Sequence, residues 1–542
     1  MSFDGGHRVR AAVALGGAAA LTLTLGSCSL VGGHNEPEAM VREFADAIEH
    51  GDATAAAALT SYPNAAAGVI GQVLDGMKAE NVDYELSQFI SLDNESGFFT
   101  MNADWNFGQD RDWGYSVQGS ARKLAVGWRI LWEPSVVMPA LGPDGEAHLV
   151  RTEAMPPPTV KDIAGTPMMT EQTINAIKLD PAQMPDPGSS TAAVAKAIES
   201  VAPLITGPSL MQQLVVAQGQ PITAVSLRDA DFEILEPDLT PIPGVVVEKQ
   251  PKLITVDRRI VSPVLDPLRA VWQDERDATA GWAVQVTAPG QARQQMTGYQ
   301  GPPGPDITST LDSRLQLAAL DAVVSVGTPA AIVAIQPSSG SVVAVAQNSY
   351  ANDLGPIAFT QMHPVGENVD LLKAAAAVET NTAVEKVSDE DAIASAKRLG
   401  LGVDFAIPGL EQKTAQVDDD RLEVTPFGMA LAAAAIARGT VPNPMITVGQ
   451  PGTTGDQLDP LRADVAERLR ALWRESVAKP DFEALRGYAD VIGFPAGSGD
   501  DRWFVGQRGD LAFAVWVQNA DGTNAAVKMA ARMMRAQDRP SE

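Results

Sequence analysis

The 542-residue chain has a single cysteine, Cys28, so no disulfide framework holds it together. Histidine is also scarce. There are five, none beyond His363, which leaves the C-terminal third without the usual ligands of a zinc site, and no metal or cofactor is expected. Positive charge is short too: 40 Lys and Arg stand against 67 Asp and Glu. The resulting net charge of −27 repels nucleic acid and argues against a broad electrostatic membrane patch. Internal repeats and low-complexity tracts are absent. Apolar residues, by contrast, make up 45% of the chain, enough to bury sizeable cores, and the length calls for two to four domains.

The N-terminus accounts for the one cysteine. Arg8 and Arg10 precede an uncharged apolar run over 11–24, closed by Leu25-Gly26-Ser27-Cys28. The run is short for a bilayer span and its downstream flank is polar, which favours a signal peptide over a helical anchor. Its closing tetrapeptide resembles a bacterial lipobox, whose cysteine is lipidated and becomes the first residue of the mature protein. The resemblance implies a signal peptide over 1–27 and lipid attachment at Cys28. A tether over 28–37 would then leave all later residues on the outer face of the cell membrane. The plainer alternative is a signal peptide with an unrelated cysteine.

From Glu38, residues Met40, Val41, Phe44, Ala45, Ala47 and Ile48 recur at helical spacing, and two further helices follow around Pro63. The period then changes to two. Residues 98–105, 113–117 and 127–132 read as strands of an antiparallel sheet. Helices followed by a curled sheet give an α+β cone over 38–150. The run Trp128-Arg129-Ile130-Leu131-Trp132-Glu133-Pro134 is similar to the close of the nuclear-transport-factor-like domain of methicillin-resistance-type penicillin-binding proteins. In that family the domain is a spacer carrying the active domain away from the membrane.

Met155-Pro156-Pro157-Pro158 reads as a stiff, extended linker. A proline-punctuated segment follows, with short elements and no catalytic constellation. Thr159-Val160-Lys161-Asp162-Ile163-Ala164-Gly165 resembles the opening of that family's dimerisation (pedestal) domain, expected here over 155–305. Ile242-Pro243-Gly244-Val245 and Gly281-Trp282-Ala283-Val284 fall where the pedestal has internal motifs.

From residue 307 the pattern is denser. Thr310-Leu311-Asp312-Ser313 caps an amphipathic helix, and residues 330–335 and 341–346 form a hairpin around Gln336-Pro337-Ser338-Ser339-Gly340. Both strands are apolar on both faces, so helices must cover them. Thr425-Pro426 opens an alanine-rich helix, and residues 503–506 and 510–517 form a closing strand pair before a last helix. The order resembles the α/β fold shared by penicillin-binding transpeptidases and serine β-lactamases, expected over 306–542. Cone, proline-rich pedestal and this domain together make an α+β multi-domain protein that resembles class B penicillin-binding proteins.

The informative stretch is His363-Pro364-Val365-Gly366-Glu367-Asn368-Val369-Asp370, a tight turn feeding a helix. Residues 367 and 370 share a helical face, and unpaired N–H groups at the helix start suit an oxyanion. In the resembled family the stretch reads Pro-x-Gly-Ser-x-x-Lys, where serine attacks and lysine is its base. Here Glu367 and Asp370 take those places. The helix start tolerates two carboxylates, and Lys373 is expected to pair with Asp370. Glu379-Thr380-Asn381 resembles the second motif, Ser-x-Asn, with Glu379 for serine and Asn381 as a remnant, although a lone Asn near a turn is more often a cap. Phe494-Pro495-Ala496 stands where Lys-Thr-Gly should line the groove, and Pro495 removes a backbone donor. Ser476-Val477-Ala478-Lys479 matches Ser-x-x-Lys, and Lys413-Thr414 starts a Lys-Thr-Gly-like run, but both are out of order and read as chance matches. The expectation is therefore a non-catalytic, lipid-anchored protein of peptidoglycan synthesis or division. Its expected partners are the membrane, through the lipid, and peptidoglycan or other cell-wall synthesis proteins, with no nucleic acid. The alternative is an active D,D-transpeptidase that binds penicillin.

Overall fold

The computed structural model of the chain describes residues 36–290, 292–418 and 421–539. The expected signal peptide and Cys28 lie outside the described residues. Among those described, no helix is long and apolar enough to cross a membrane. The chain forms two compact units, Met1–Val150 with Trp282–Gly298, and Arg151–Gly281 with Tyr299–Glu542.

In the N-terminal unit, helix Glu36–Glu49 buries Met40, Val41, Phe44, Ala45 and Ile48 along one stripe. Asp52 caps the short helix Ala53–Ala58, and Pro63 opens helix Pro63–Met77 at the position where a missing N–H is harmless. Strands Asn81–Ser91, Ser96–Asn106, Asp112–Leu124 and Gly127–Ile130 then pair in sequence order as an antiparallel meander. Phe99, Met101, Ala103 and Trp105 point inward from alternate positions of the second strand. One polar cluster is buried beneath them and is fully bonded. The Tyr84 and Tyr115 hydroxyls lie 2.9 Å apart, both donate to the Val137 carbonyl, and Trp105 Nε1–H donates to Tyr115. Burial holds both phenols well above their ordinary titration range.

The segment Trp282–Gly298 also belongs to this unit, and Trp282, Val284 and Val286 enter its core, with Trp282 against Phe107 at 5.6 Å. This differs from the expectation of a continuous pedestal over 155–305. Alternating apolar residues mark 281–287 as a strand, but a strand's pattern does not say which sheet it will join.

In the second unit, the long strand Pro167–Leu179 pairs with Val160–Lys161, Ile222–Arg228 and Val245–Thr255. Helices Pro187–Ala197, Gly207–Val216 and Asp229–Leu239 close a small core against it. This remainder of the expected pedestal shares one compact unit with residues 306–542.

A five-stranded antiparallel sheet dominates that unit. Its order is Val342–Gln347, Ala330–Ile335, Leu511–Val517, Asp501–Arg508, Val491–Ser498. Period-two alternation divides its side chains between two cores. Ala331, Val333, Trp503, Val505, Ala514 and Trp516 face helices Val369–Thr380 and Pro426–Arg438. Ile332, Ala334, Phe504, Phe513 and Val515 face helices Ser313–Val323 and Ala525–Gln537. Because both faces are covered, the strands Ala330–Ile335 and Leu511–Val517 are apolar throughout. The helix Pro426–Arg438 is apolar all round for the same reason. Thr425 caps it through the Gly428 N–H, and Gly439 ends it at φ +86.

Phe504 is fully buried between the sheet and the C-terminal helix. Phe504→Ala is expected to destabilise this unit by about 3–5 kcal/mol, measured as a lower denaturant midpoint by tryptophan fluorescence.

Candidate functional site

The two-residue strand His363–Pro364 pairs with Val424 and Glu423, and a single 3-10 turn, Gly366–Asn368, joins it to helix Val369–Thr380. Buried Asn368 holds the turn by donating from its side-chain amide to the Val365 carbonyl at 3.1 Å. Gly366 sits at φ +58, and a Cβ there would lie 2.3 Å from the Gly497 carbonyl oxygen and 2.7 Å from Ser498 Cβ. Only glycine permits both that backbone and that approach.

The approach brings the helix start against Val491–Ser498, the edge strand of the five-stranded sheet. The Gly497 N–H bonds outside the sheet, so by alternation 493, 495 and 497 turn their backbone groups away from strand Asp501–Arg508. The outward N–H of Gly497 donates to Glu367 Oε2 at 2.8 Å. Position 495 is proline and has no N–H. At these two positions the edge therefore offers no free donor to an arriving chain.

Glu367 and Asp370 line a cleft of about 610 Å3 together with Phe494, Pro495 and Ala496. The structure thus brings the expected first and third positions together. Ser476 and Lys479 line the same cleft, which sequence order gave no reason to expect. They arrive because helix Ala463–Val477 packs against strand Val491–Ser498. Ser476 is buried in the last turn of that helix, where carbonyl groups gather and an alkoxide is disfavoured. Lys413-Thr414 lies outside this cleft, and the buried Thr414 hydroxyl is committed to backbone groups at Gly400, Gly402 and Val403.

Two expectations need correction. Glu379 and Asn381 stand at the far end of helix Val369–Thr380, roughly 13 Å along the axis from Asp370 to Glu379 at the usual rise. Glu379 pairs with Arg398 at 2.7 Å, while Asn381 is the left-handed C-cap at φ +53. Neither reaches the cleft, so the segment does not reconstitute a second motif. Lys373 pairs with Asp389 at 2.9 Å rather than with Asp370, because the acidic first turn of helix Asp389–Arg398 meets it.

Ser476 and Lys479, set aside in the sequence as a chance match, line the cleft, and the role of Gly497 had no signal beyond its place directly after Phe494-Pro495-Ala496. No cluster of His, Cys, Asp and Glu among the described residues is arranged to hold a metal ion. The helix start thus carries a carboxylate at position 367, and the Gly497 N–H of the edge strand is already engaged by it.

Residues 36–145 match the family of the NTF2-like N-terminal transpeptidase domain. This part of the N-terminal unit is therefore similar to a domain found at the N-terminus of transpeptidases. No curated protein matches the chain.

Just before the turn, His363 is buried, stacked on Trp516 at 3.7 Å and edge-on to Trp503 at 6.2 Å. Burial lowers its pKa from 6.5 to about 4. Between those values the unfolded chain takes up the proton that the folded chain refuses. Stability is therefore full above pH 6.5 and falls as the pH drops toward 4, by about 3 kcal/mol at most. His363→Phe, which keeps the stack, is expected to flatten the denaturation midpoint across that window. Parallel profiles for the two proteins would show that His363 is not the titrating group.

Proposed function

We propose that this is a lipid-anchored protein of the outer membrane face that works in peptidoglycan synthesis or division as a non-catalytic, penicillin-binding-protein-like scaffold. The observation that carries the reading is the Glu367 carboxylate seated on the Gly497 N–H. The acid stands where the resembled enzymes keep their nucleophile, and it occupies the strand donor that would polarise a scissile carbonyl. Support for a transpeptidase-like C-terminal domain comes from the five-stranded antiparallel sheet, with its groove strand at the edge and a helix starting beside it. The matched N-terminal domain supports a cell-wall setting. The partners that suit this role are peptidoglycan strands or other cell-wall synthesis proteins, and the lipid on Cys28 would keep the protein beside them.

A second reading, an active D,D-transpeptidase, draws on one observation: Ser476 and Lys479 share the cleft with Glu367. Fluorescent penicillin and intact-mass measurement separate the two. No covalent adduct is expected on the wild-type chain, and an adduct mapped to Ser476 would establish the enzyme.

Restoring the pair is not expected to restore acylation. Glu367→Ser with Asp370→Lys frees the Gly497 N–H, but Phe494 supplies no cation, Pro495 supplies no donor, and Glu379 and Asn381 are too far away to assist a leaving nitrogen. The double variant should fold, with a thermal midpoint within a few degrees of wild type, and remain unlabelled. Rapid stoichiometric labelling would show that catalysis was lost at two residues only. Anchoring is tested separately: Cys28→Ala is expected to move the protein from the membrane fraction to the soluble one, and retention at the wild-type level would sink the lipid assignment.

A further inference from the structure

The C-terminal helix Ala525–Gln537 carries an unusual surface for so acidic a chain. Lys528, Arg532, Arg535 and, just past its end, Arg539 recur at spacings of four, three and four, which places them on one face. All four are exposed and line a cleft of about 740 Å3 in which Asp521 is the only carboxylate among the described residues. That ratio inverts the 40-to-67 balance of the whole chain.

Most acids nearby are already engaged. Asp321 takes Arg532 through two contacts of 2.9 and 3.0 Å, and Asp538 is paired with Arg508 at 2.9 Å. Among the described residues, Lys528, Arg535 and Arg539 have no salt-bridge partner. Arg314 adds a fifth cation at the far end, where it donates to the Gln537 and Arg539 carbonyls at 3.3 and 3.0 Å. From Lys528 to Arg539 the row extends roughly 16 Å at the helical rise, longer than a single phosphate can use.

We infer that this cleft binds a linear, phosphate-bearing polyanion, with successive anionic groups laid along the helix from Lys528 to Arg539. The net charge of −27 does not forbid it, since charges beyond a Debye length of about 8 Å are largely screened at physiological ionic strength and the local row decides. Loop residues Thr523 and Asn524 line both this cleft and the one holding Glu367, so the two sites are separated by a single turn of chain. The inference does not depend on the scaffold reading.

The test uses the full-length chain and short-chain inorganic polyphosphate, followed by calorimetry across a salt series, with monophosphate for comparison. Polyphosphate is expected to bind far more tightly than monophosphate at equal phosphate concentration, because linked groups bind together. Affinity should fall steeply with salt. The triple variant Lys528→Gln, Arg535→Gln, Arg539→Gln should lose affinity by about tenfold or more and show a flatter salt slope. A parallel arm compares wild-type and triple-variant retention on anionic and neutral vesicles. A difference confined to polyphosphate assigns the site to a free polymer, and one that extends to anionic vesicles assigns it to lipid headgroups as well. Equal binding by both proteins in both arms, or no binding of polyphosphate by a wild-type chain with a normal melting profile, would overturn the inference.

Discussion

Where Gly366 meets Gly497, a helix start and a sheet edge come closer than any side chain permits, and the character of the cleft follows from that distance. An edge strand presents unpaired donors, and a helix start presents unpaired N–H groups with partial positive charge. Both favour an anion at the same point. Glu367 supplies one from within the chain, accepting the Gly497 N–H at 2.8 Å. The contact is solvent-exposed, so it contributes on the order of 1 kcal/mol. Its consequence is larger than its energy. With Pro495 lacking a donor and Gly497 using its own, the edge is closed at those positions to a peptide that would add as another strand.

The surrounding fold does not depend on what stands at position 367. The five-stranded sheet is covered on both faces, and its alternating side chains feed two separate cores. Trp503 and Trp516 enclose His363 directly behind the turn, so the backbone of the cleft is held by packing rather than by polar groups in the cleft. A groove supported in this way keeps its geometry whatever polar side chains stand at its helix start. The helix dipole offsets the repulsion between Glu367 and Asp370, since each carboxylate gains about 0.3–1 kcal/mol at a helix start while like charges at this spacing cost a few tenths.

Local signals in the sequence marked the elements well. The Thr425-Pro426 cap, the hairpin around Pro337, the alternating strands near residue 100 and the turn at Gly366 all formed where residue patterns placed them. What stayed hidden was pairing over long distances in the chain. Lys373 had a carboxylate three residues away, yet it meets Asp389 because two helices pack together. Asn381, by contrast, is the cap that a lone Asn near a turn suggests, with the left-handed backbone of a helix terminator at φ +53. Ser476 and Lys479 were out of order for the resembled motif, and chain order says little about which helix lies along a sheet edge. Gly281-Trp282-Ala283-Val284 was placed in the pedestal by resemblance, whereas Trp282–Gly298 belongs to the N-terminal unit, a partnership no local pattern records.

Charge follows the same logic of local placement over composition. A total of −27 describes the average surface, but screening confines each group's influence to its own neighbourhood. Within one unit, the loop through Thr523 and Asn524 has two carboxylates at a helix start on one side and a row of guanidinium and ammonium groups on the other. The carboxylates are internally satisfied in part, through Gly497, whereas among the described residues three of the cations make no ion pair within 4 Å. Aligning them on one helical face also forgoes the i, i+4 acid–base pairs that stabilise exposed helices. The cost is a few tenths of a kcal/mol per missed pair, small enough for a fold whose stability rests on two buried faces of a sheet.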